Sequence, residues 1–240
     1  MTGDPDAPWD VAFKWQDSTF FDRAVLGRLP GDTSIINGES VDISKTAVDA
    51  AMKRAFGYSA AVDPMRYAGL VVQKSDQNAK HDGTVVECPV TSGSVVPGCV
   101  YQRLIDNTVH GRAIYEFRVP VIGGQIPLVF VKYRPIERRF MIRNTIAQMT
   151  EAADVFSDDE ITSLVAFSRE MRLDYGELDV LRDNNDGRLY VVDANNTPHG
   201  PPKRLSPTQQ QEAVARLGDA LVALLRESGY SRSASRTPST

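Results

Sequence analysis

Between Gly69 and Tyr133 the pattern of hydrophobic and polar positions predicts strands, in five segments. The predicted strands cover residues 70–74, 84–90, 100–105, 113–121 and 126–133. The pair Gly123-Gly124 predicts a tight hairpin between the last two, because glycine adopts turn conformations that other residues avoid. A short apolar strand is also predicted at residues 34–37.

Three other segments have apolar residues at helical spacing. The first covers residues 42–56, begins near Asp42 and Ser44 and stops at Gly57; its apolar positions are Ile43, Ala47, Ala51 and Ala55. The second opens with the capping box Ser157-Asp-Asp-Glu160 and reaches about Arg172. Helices and antiparallel hairpins without a βαβ alternation indicate the α+β class.

The third helical segment begins at Ser206-Pro207 and extends to about Ser228. Its predicted apolar stripe consists of Val214, Leu217, Leu221, Leu224 and Leu225. Residues 231–240 form a polar, low-complexity tail that is expected to be disordered. At the other end the first thirty or so residues are irregular, and their aromatic residues are expected to dock onto the body of the protein: Trp9, Phe13, Trp15, Phe20 and Phe21.

An acidic hairpin near the C-terminus is the most informative chemical feature. Two alternating arms, 177–183 and 188–198, flank a turn at 184–187. If the loop covers residues 184–188, Asp179 lies opposite Asp193, with Cβ atoms roughly 4.5–5.5 Å apart. Asn195 then points the same way, and the three side chains form a hard-oxygen cluster that suits Mg²⁺ carrying a phosphate. A loop one residue shorter would place Val192 opposite Asp179. The alternative is a solvated acidic hairpin.

Composition and charge limit the classes of protein to which the chain can belong. With 240 residues, 42% hydrophobic and 24% charged, the chain can bury a substantial core in one or two domains. The net charge of -4 offers no general attraction for nucleic acid or an anionic membrane. No apolar run approaches the roughly 18 residues of a spanning helix, and the N-terminus lacks a secretion signal. Cys88 and Cys99 lack metal-site spacing and fit a reducing cytoplasm; a reactive thiol is the alternative.

Several basic residues lie where strands end. Lys74 closes an apolar strand directly before a polar loop, 75–83, that contains Lys80, and such a lysine can bind phosphate oxygens. Arg118 lies within the strand at 113–121, Arg134 ends the next strand, and Arg138, Arg139 and Arg143 follow; guanidinium groups at strand ends suit phosphate or carboxylate. Solvated surface charges are the alternative in both cases. The glycine fingerprints of P-loops and dinucleotide sites do not occur, and the three histidines have no ligand spacing.

The order of these pieces resembles the ATP-grasp superfamily, which includes carboxylate–amine ligases. The matching segments are Ile36-Asn37 with Asp42-Ile-Ser-Lys45, Leu70-Val-Val-Gln-Lys74, Gln102-Arg-Leu-Ile105, Arg118-Val-Pro-Val-Ile-Gly-Gly124, Asp179-Val180 and Asp193-Ala-Asn-Asn-Thr-Pro198. The chain departs from the family pattern at Arg103, where a glutamate is usual, and at Asp193, which replaces a glutamate. Only about thirty-five residues precede the first match, whereas the family usually has a whole additional domain there.

The resemblance implies an ATP-dependent, amide-forming ligase that acts through an acylphosphate and uses Mg²⁺ or Mn²⁺. It implies catalytic roles for Arg118 and Lys74 and metal binding by Asp179, Asp193 and Asn195. The nucleotide would be bound by Lys45, Lys74, Lys80, Gln102, Arg103, Leu104, Ile105 and Asp106. The remaining candidates, for the substrate, are Arg134, Arg143, His199 and Lys203.

The implied organisation is a reduced N-terminal region (residues 1–59), a lid subdomain (60–108), a C-terminal subdomain (109–230) and the tail (231–240). The expected partners are small-molecule or peptide carboxylates and amines, without nucleic acid or membrane, in the cytoplasm; a homodimer is left open. Two other functions remain compatible with the resemblance. They are a phosphotransferase acting on a small molecule and a non-catalytic nucleotide-binding subunit that needs a partner.

Overall fold

The computed structural model describes residues 11–16, 18–28, 34–140 and 146–227. Strands β1 (Ala12–Phe13) and β2 (Ile35–Ile36) pair in parallel. A three-stranded antiparallel sheet, called the small sheet below, contains β3 (Gly69–Ser75), β4 (Thr84–Cys88) and β5 (Cys99–Arg103), with β3 in the centre. The predicted strands in this region are therefore present with shifted ends.

The main sheet has six antiparallel strands. In chain order they are β6 (Thr108–Val109), β7 (Ala113–Ile122), β8 (Val129–Pro135), β9 (Ile146–Thr150), β10 (Tyr175–Arg182) and β11 (Leu189–Asn195). The spatial order is β11-β10-β7-β8-β9, and β6 pairs with β7. Gly123 and Gly124 form the predicted tight turn between β7 and β8, both with positive φ (57° and 75°), and Ile122 and Gln125 exchange two hydrogen bonds across it.

Helices cover the apolar parts of the main sheet. They are α1 (Lys45–Phe56), α2 (Ala152–Val155), α3 (Asp158–Glu170) and α4 (Pro207–Glu227). Side chains of α1 and α3 form one core with one face of the sheet, where Val119, Leu178 and Val191 are fully buried. On the opposite face α4 packs only against the apolar half, around Ile122 and Phe130. The other half of that face carries charged side chains and remains available for a site.

The sequence predicted the ends of the helices accurately and the buried face of α4 less accurately. Ser44 caps α1, Gly57 ends it in the left-handed conformation, and the capping box at Ser157 is formed. The stripe predicted for α4 is rotated, because Val214 is 61% exposed. The buried positions of α4 are Ala213, Leu217, Ala220 and Leu224. Small alanines allow close approach to the sheet, and a pattern of large apolar residues does not show this.

Other expectations from the sequence were incomplete. The pattern did not indicate β1, β6, β9 or α2; β9 is an edge strand that buries Ala147 and leaves Ile146 52% exposed. Among the N-terminal aromatics, Phe13 stacks on Tyr175, but Trp15 and Phe20 are more than half exposed. Trp9, Arg143 and the tail at 231–240 lie outside the described residues.

The hairpin of β10 and β11 pairs Asp179 with Asp193, as predicted, but by another route. The loop is the shorter one, since Asp183 and Arg188 already share a backbone hydrogen bond. With that loop alone Val192 would oppose Asp179. A β-bulge at Val192 restores the pairing of Asp179 with Asp193. Val180 pairs with Val191, and Val192 has no partner on β10.

Asn37 connects the N-terminal region to the main sheet. It is fully buried and has a positive φ of 59°, and its side-chain oxygen accepts from the amides of Asp174 and Tyr175 at 2.9 and 3.0 Å. Its side-chain nitrogen donates to the carbonyls of Tyr175 and Asn196 at 2.6 and 3.2 Å. One asparagine thus satisfies backbone groups at the start of β10 and after the end of β11.

We expect Asn37→Ala to lower the free energy of unfolding by about 3 kcal/mol or more, because it leaves several buried backbone groups without partners. Urea unfolding followed by circular dichroism measures this change. Asn184→Ala is the control: that side chain lies in the exposed hairpin turn and makes one hydrogen bond, to the carbonyl of Thr108. Equal stability losses in the two variants would contradict a special role for Asn37.

Candidate active site

A cavity of about 210 Å³ lies between the charged half of the main sheet and the loop that follows β3. Residues from α1, the small sheet and the main sheet line it. Its charged lining residues are Lys45, Lys74, Lys80, Asp82, Glu116, Arg118, Lys132, Arg134, Arg139, Asp179 and Asp193. Seven basic and four acidic residues give a net positive site, which favours an anionic ligand.

Asp179 lies at the centre of this charged face. Arg118 on β7 binds it with two hydrogen bonds, from Nε at 3.0 Å and from Nη2 at 3.2 Å. The Nζ of Lys132 on β8 lies 3.5 Å away. Burial alone would raise the pKa of Asp179, but these cations outweigh it and hold the pKa below the usual range. Asp179 is therefore a carboxylate in this structure.

Asp193 and Asn195 on β11 contact other elements. The Nζ of Lys45, at the start of α1, lies 3.0 Å from Oδ1 of Asp193. Burial raises the pKa of Asp193, and Lys45 opposes that effect. Oδ1 of Asn195 accepts a hydrogen bond from Nδ2 of Asn78 at 3.3 Å. The predicted register therefore brings all three proposed metal ligands to one face of the hairpin, where each is in contact with a donor.

The predicted metal ligands fit a hard divalent cation. Two carboxylates and one amide oxygen form the donor set that Mg²⁺ accepts when phosphates or waters complete its shell. Within the described ranges no group of three His, Cys, Asp or Glu side chains forms a metal site, so the amide of Asn195 is needed to complete this one. Arg118 and Lys45 presently neutralise the two carboxylates, and a divalent ion would take over that role.

Lys74 lies where two cavities meet, because it lines both. Its Nζ donates to the carbonyl of Val192, the bulged residue, at 3.1 Å. Burial lowers the pKa of Lys74 to about 8, although nearby Asp193 acts in the opposite direction. The bulge therefore has two effects: it pairs the aspartates and it leaves a carbonyl that positions this lysine.

The second cavity, of about 140 Å³, is more apolar. Side chains of Val72, Ile114 and Leu181 line it together with the backbone segment 102–105. This segment contains the predicted nucleotide-binding residues Gln102, Arg103, Leu104 and Ile105. A flat apolar ring with polar edges could lie here beside β5.

The side chains of this segment are already engaged. Gln102 donates to Asp49 at 3.0 Å, and Arg103 binds Asp183, Asp186 and the hydroxyl of Tyr190 in the turn of the hairpin. Part of its backbone is engaged as well, because the amides of Arg103 and Leu104 donate to the carbonyls of Ala60 and Leu70 at 2.8 and 3.0 Å. Asp106 lines neither cavity, and its carboxylate accepts hydrogen bonds from Thr108.

The predicted substrate residues are not brought together. Arg134 lines the larger cavity and is ion-paired with Glu116. His199 and Lys203 are exposed and line neither cavity, and Arg143 lies outside the described residues. Lys80 does line the larger cavity, on the exposed loop.

Sequence reasoning missed several residues of the site. Lys132 and Glu116 form an ion pair on the charged face, and their alternation with Arg134 and Arg118 could have indicated it. Phe140 lines both cavities and packs so closely on Gly83 that an added Cβ would lie 2.8 Å from its ring. No sequence signal distinguishes Asn78, which becomes visible only through its contacts.

Asn78 attaches the loop after β3 to three other regions. Its backbone amide donates to Oγ1 of Thr19 at 2.8 Å, and its Oδ1 accepts from Nζ of Lys45 at 3.1 Å. Its Nδ2 donates to Asn195, as described above. Asp76 adds to the attachment, because its Oδ1 accepts from the amide of Thr46 in the first turn of α1 at 2.8 Å. The loop is thereby closed over the cavity.

Comparison with known proteins identifies the fold. No described family pattern and no curated protein sequence matches the chain. Among solved structures it is similar to D-alanine–D-alanine ligase from Bacillus anthracis complexed with ATP (TM-score 0.58, 15% identity, 91% of this chain and 80% of that one). The ligase of the same name from Coxiella burnetii gives a TM-score of 0.56 at 12% identity, covering 92% of this chain and 70% of that one.

The ATP-grasp ligase PsnB, complexed with minimal precursor, Mg and ADP, gives a TM-score of 0.54 at 18% identity, covering 85% of this chain and 67% of that one. In other complexes the chain spans 65% of the PsnB chain. These similarities establish that the chain has the ATP-grasp fold, an α+β fold in which two antiparallel sheets enclose a cavity. The fold that the order of the sequence motifs implied is thus confirmed.

We expect Asn78→Ala to release the loop at residues 75–83, because it removes the contacts with Lys45 and Asn195. Hydrogen exchange in this segment should become at least about tenfold faster without ligand. Gln77→Ala is the matched control, since the neighbouring Gln77 is exposed. If both variants exchange like the unaltered protein, the side chain of Asn78 does not hold the loop closed.

Proposed function

We propose that the protein is an ATP-dependent ligase that joins a carboxylate to an amine and releases ADP and phosphate. The observation that carries this proposal is the pairing of Asp179 with Asp193 beside Asn195, facing lysines across a cationic cavity that adjoins an apolar one. On an ATP-grasp fold, that combination suits a triphosphate in the first cavity and a base in the second. The PsnB and D-alanine–D-alanine ligase structures, described with ADP and Mg or with ATP, support it by their fold.

The small sheet acts as the lid in this proposal, within residues 60–108, and the main sheet forms the subdomain at 109–230. Lys45 and Lys74 contact the phosphates from opposite sides. In the structure, Lys45 contacts Asp193 and Lys74 donates to the carbonyl of Val192. A bound triphosphate would replace those partners, so the site exchanges one set of ionic contacts for another and leaves no buried charge unpaired.

Catalysis rests on positioned charge. A divalent ion held by Asp179, Asp193 and Asn195 would supply neutralisation of phosphate charge. Arg118 lies beside the aspartates and stabilises the charge of the reacting carboxylate and phosphoryl groups. The carboxylate attacks the γ-phosphate, ADP leaves, and an amine then displaces phosphate from the acylphosphate. No nucleophilic side chain is required.

The acid and the amine are small molecules or peptides in this proposal. PsnB is described in complex with a precursor peptide, and the D-alanine–D-alanine ligases are named for an amino acid. Further cations line the larger cavity beyond Lys45 and Lys74, among them Lys132 and Arg134 of β8 and Arg139 in the segment after β8. We propose that this group binds the carboxylate substrate.

No described helix is long and apolar enough to cross a membrane.

A screen of acid–amine pairs for ADP release tests the proposal. Phosphate release that requires both an acid and an amine indicates a ligase. ADP formation without phosphate release indicates a kinase, and nucleotide binding without turnover for any pair indicates a binding subunit. Failure to bind ATP at all would remove the proposal entirely.

Asp193→Asn should lower turnover at least about 100-fold with the fold intact, because it removes a charge from the proposed metal shell. Steady-state ADP release measures turnover, and circular dichroism checks the fold. Asp219→Asn is the control, since Asp219 is exposed on α4 and lines neither cavity. Near-normal turnover in the Asp193 variant would exclude this aspartate from the metal site.

The pH dependence of kcat/KM for ATP should reflect the protonation of Lys74. Below pH 8 its amine is protonated and attracts phosphate; above pH 8 it becomes neutral, because burial lowers the pKa to about 8 in the free protein. The value of kcat/KM for ATP, which reports the free enzyme, should therefore fall as the pH rises through 8. Lys74→Arg should shift that decline upward by at least about one unit, since arginine stays protonated. An unchanged profile would assign the decline to another group.

A further inference from the structure

Glu177 is an unusual carboxylate on the charged face of β10. It is 1% exposed, and its Oε2 accepts no hydrogen bond within the described structure. Buried carboxylate oxygens normally have donors, so an oxygen without one calls for a physical reason. Glu177 precedes Asp179 by two residues and pairs with Asn195 across the hairpin, which places it beside the proposed metal ligands.

Arg118 is the cation nearest to that oxygen. Its Nη1 lies 3.5 Å from Oε2 of Glu177, too far for a good hydrogen bond, while its Nε and Nη2 bind Asp179. A guanidinium has five N–H donors in a rigid plane, so one arginine can contact two carboxylates. In the described part of the chain, these two are the only carboxylates within 4 Å of Arg118.

Asp179 cannot serve Arg118 and a divalent ion equally well. The two oxygens that would face the metal are the two that accept from Arg118. Metal binding would weaken that pair and leave a guanidinium whose side chain is only 23% exposed. A largely buried cation needs a nearby anion, and the unsatisfied oxygen of Glu177 is within a small side-chain movement of Nη1.

We propose that Glu177 is a positioning residue that retains Arg118 when Asp179 turns to the metal. Shortening the 3.5 Å contact to a hydrogen bond would satisfy Oε2 and keep the guanidinium beside the reacting groups. In the structure the same arginine neutralises Asp179. The inference rests on the proposed function, because it assumes that nucleotide and metal bind together at this hairpin.

The test measures how much Mg²⁺ increases the affinity for ATP. Calorimetric titrations of the full-length protein with ATP are made in EDTA and at a series of free Mg²⁺ concentrations. Glu177→Gln should reduce the gain in ATP affinity from Mg²⁺ about tenfold, since coupling between two ligands is commonly of this size. Its affinity for ATP in EDTA should stay within about threefold of normal, because Glu177 does not line the cavity.

Arg118→Gln should change the gain in ATP affinity from Mg²⁺ in the direction opposite to Glu177→Gln. It removes the cation that competes for Asp179, so Mg²⁺ should raise the affinity for ATP more than in the unaltered protein. Adding Glu177→Gln to that variant should then change nothing further, because no arginine remains to be retained. If Glu177 had only a structural role, the two single variants would not change the gain from Mg²⁺ in opposite directions. Glu177→Gln would then also have the same effect with or without Arg118→Gln.

Two further variants complete the design. Glu177→Asp keeps the charge with a shorter reach and should fall between the unaltered protein and Glu177→Gln. Glu170→Gln removes one charge at an exposed pair with Arg54, at the end of α3 and outside both cavities, and should match the unaltered protein. If Glu177→Gln does not fold, the sign of the Arg118→Gln effect and a reduced gain from Mg²⁺ in Glu177→Asp still decide the question.

The failures are distinguishable. If the unaltered protein binds no ATP, or if Mg²⁺ does not change its affinity, the proposed function and this inference are overturned together. If it binds ATP with Mg²⁺ and Glu177→Gln shows the normal gain, only the inference is overturned. A weaker effect of Mg²⁺ in Arg118→Gln would likewise overturn it.

Discussion

A carboxylate that is taken out of water needs a cation beside it, and the charged half of the main sheet is arranged around this requirement. Each acidic residue there contacts a base from another element: Asp179 contacts Arg118, Asp193 contacts Lys45, and Glu116 contacts Lys132. Ionic contacts therefore join β7, β8, β10, β11 and α1 where the packing is not apolar. The same contacts hold the cationic groups in the cavity until a ligand with its own negative charge replaces the carboxylates.

The site was predictable from sequence to the extent that its residues are fixed by strand periodicity. Asp179 and Asp193 lie on arms that alternate clearly, and Lys74 ends a clear apolar strand, so each could be placed before the structure was known. The route to the pairing was wrong, because the loop is one residue shorter and Val192 forms a bulge. Bulges depend on how neighbouring strands twist and pack, and the sequence of one hairpin contains little information about that.

Residues that act through contacts between distant elements could not be predicted. Asn78 is an ordinary loop asparagine in sequence, yet it meets Thr19, Lys45 and Asn195 in the fold. The orphaned oxygen of Glu177 is similar, since the alternation places it on the correct face but does not show that Arg118 stops short of it. The rotation of α4 has the same cause: close packing of alanines against the sheet depends on the partner surface as much as on the helix.

The cluster around Arg103 has a consequence for how a ligand enters. Arg103 belongs to β5 of the small sheet, but its guanidinium is bound by Asp183 and Asp186 in the turn of the main-sheet hairpin. That cluster fastens the small sheet at one edge. The loop at 75–83 is attached instead by the hydrogen bonds of Asn78 and Asp76, and no ion pair between described residues joins it to the main sheet. If the ion pairs of Arg103 stay intact, the small sheet opens by rotating about the end that Arg103 attaches. The phosphate end of a nucleotide is then the last part to be enclosed and the first to be exposed.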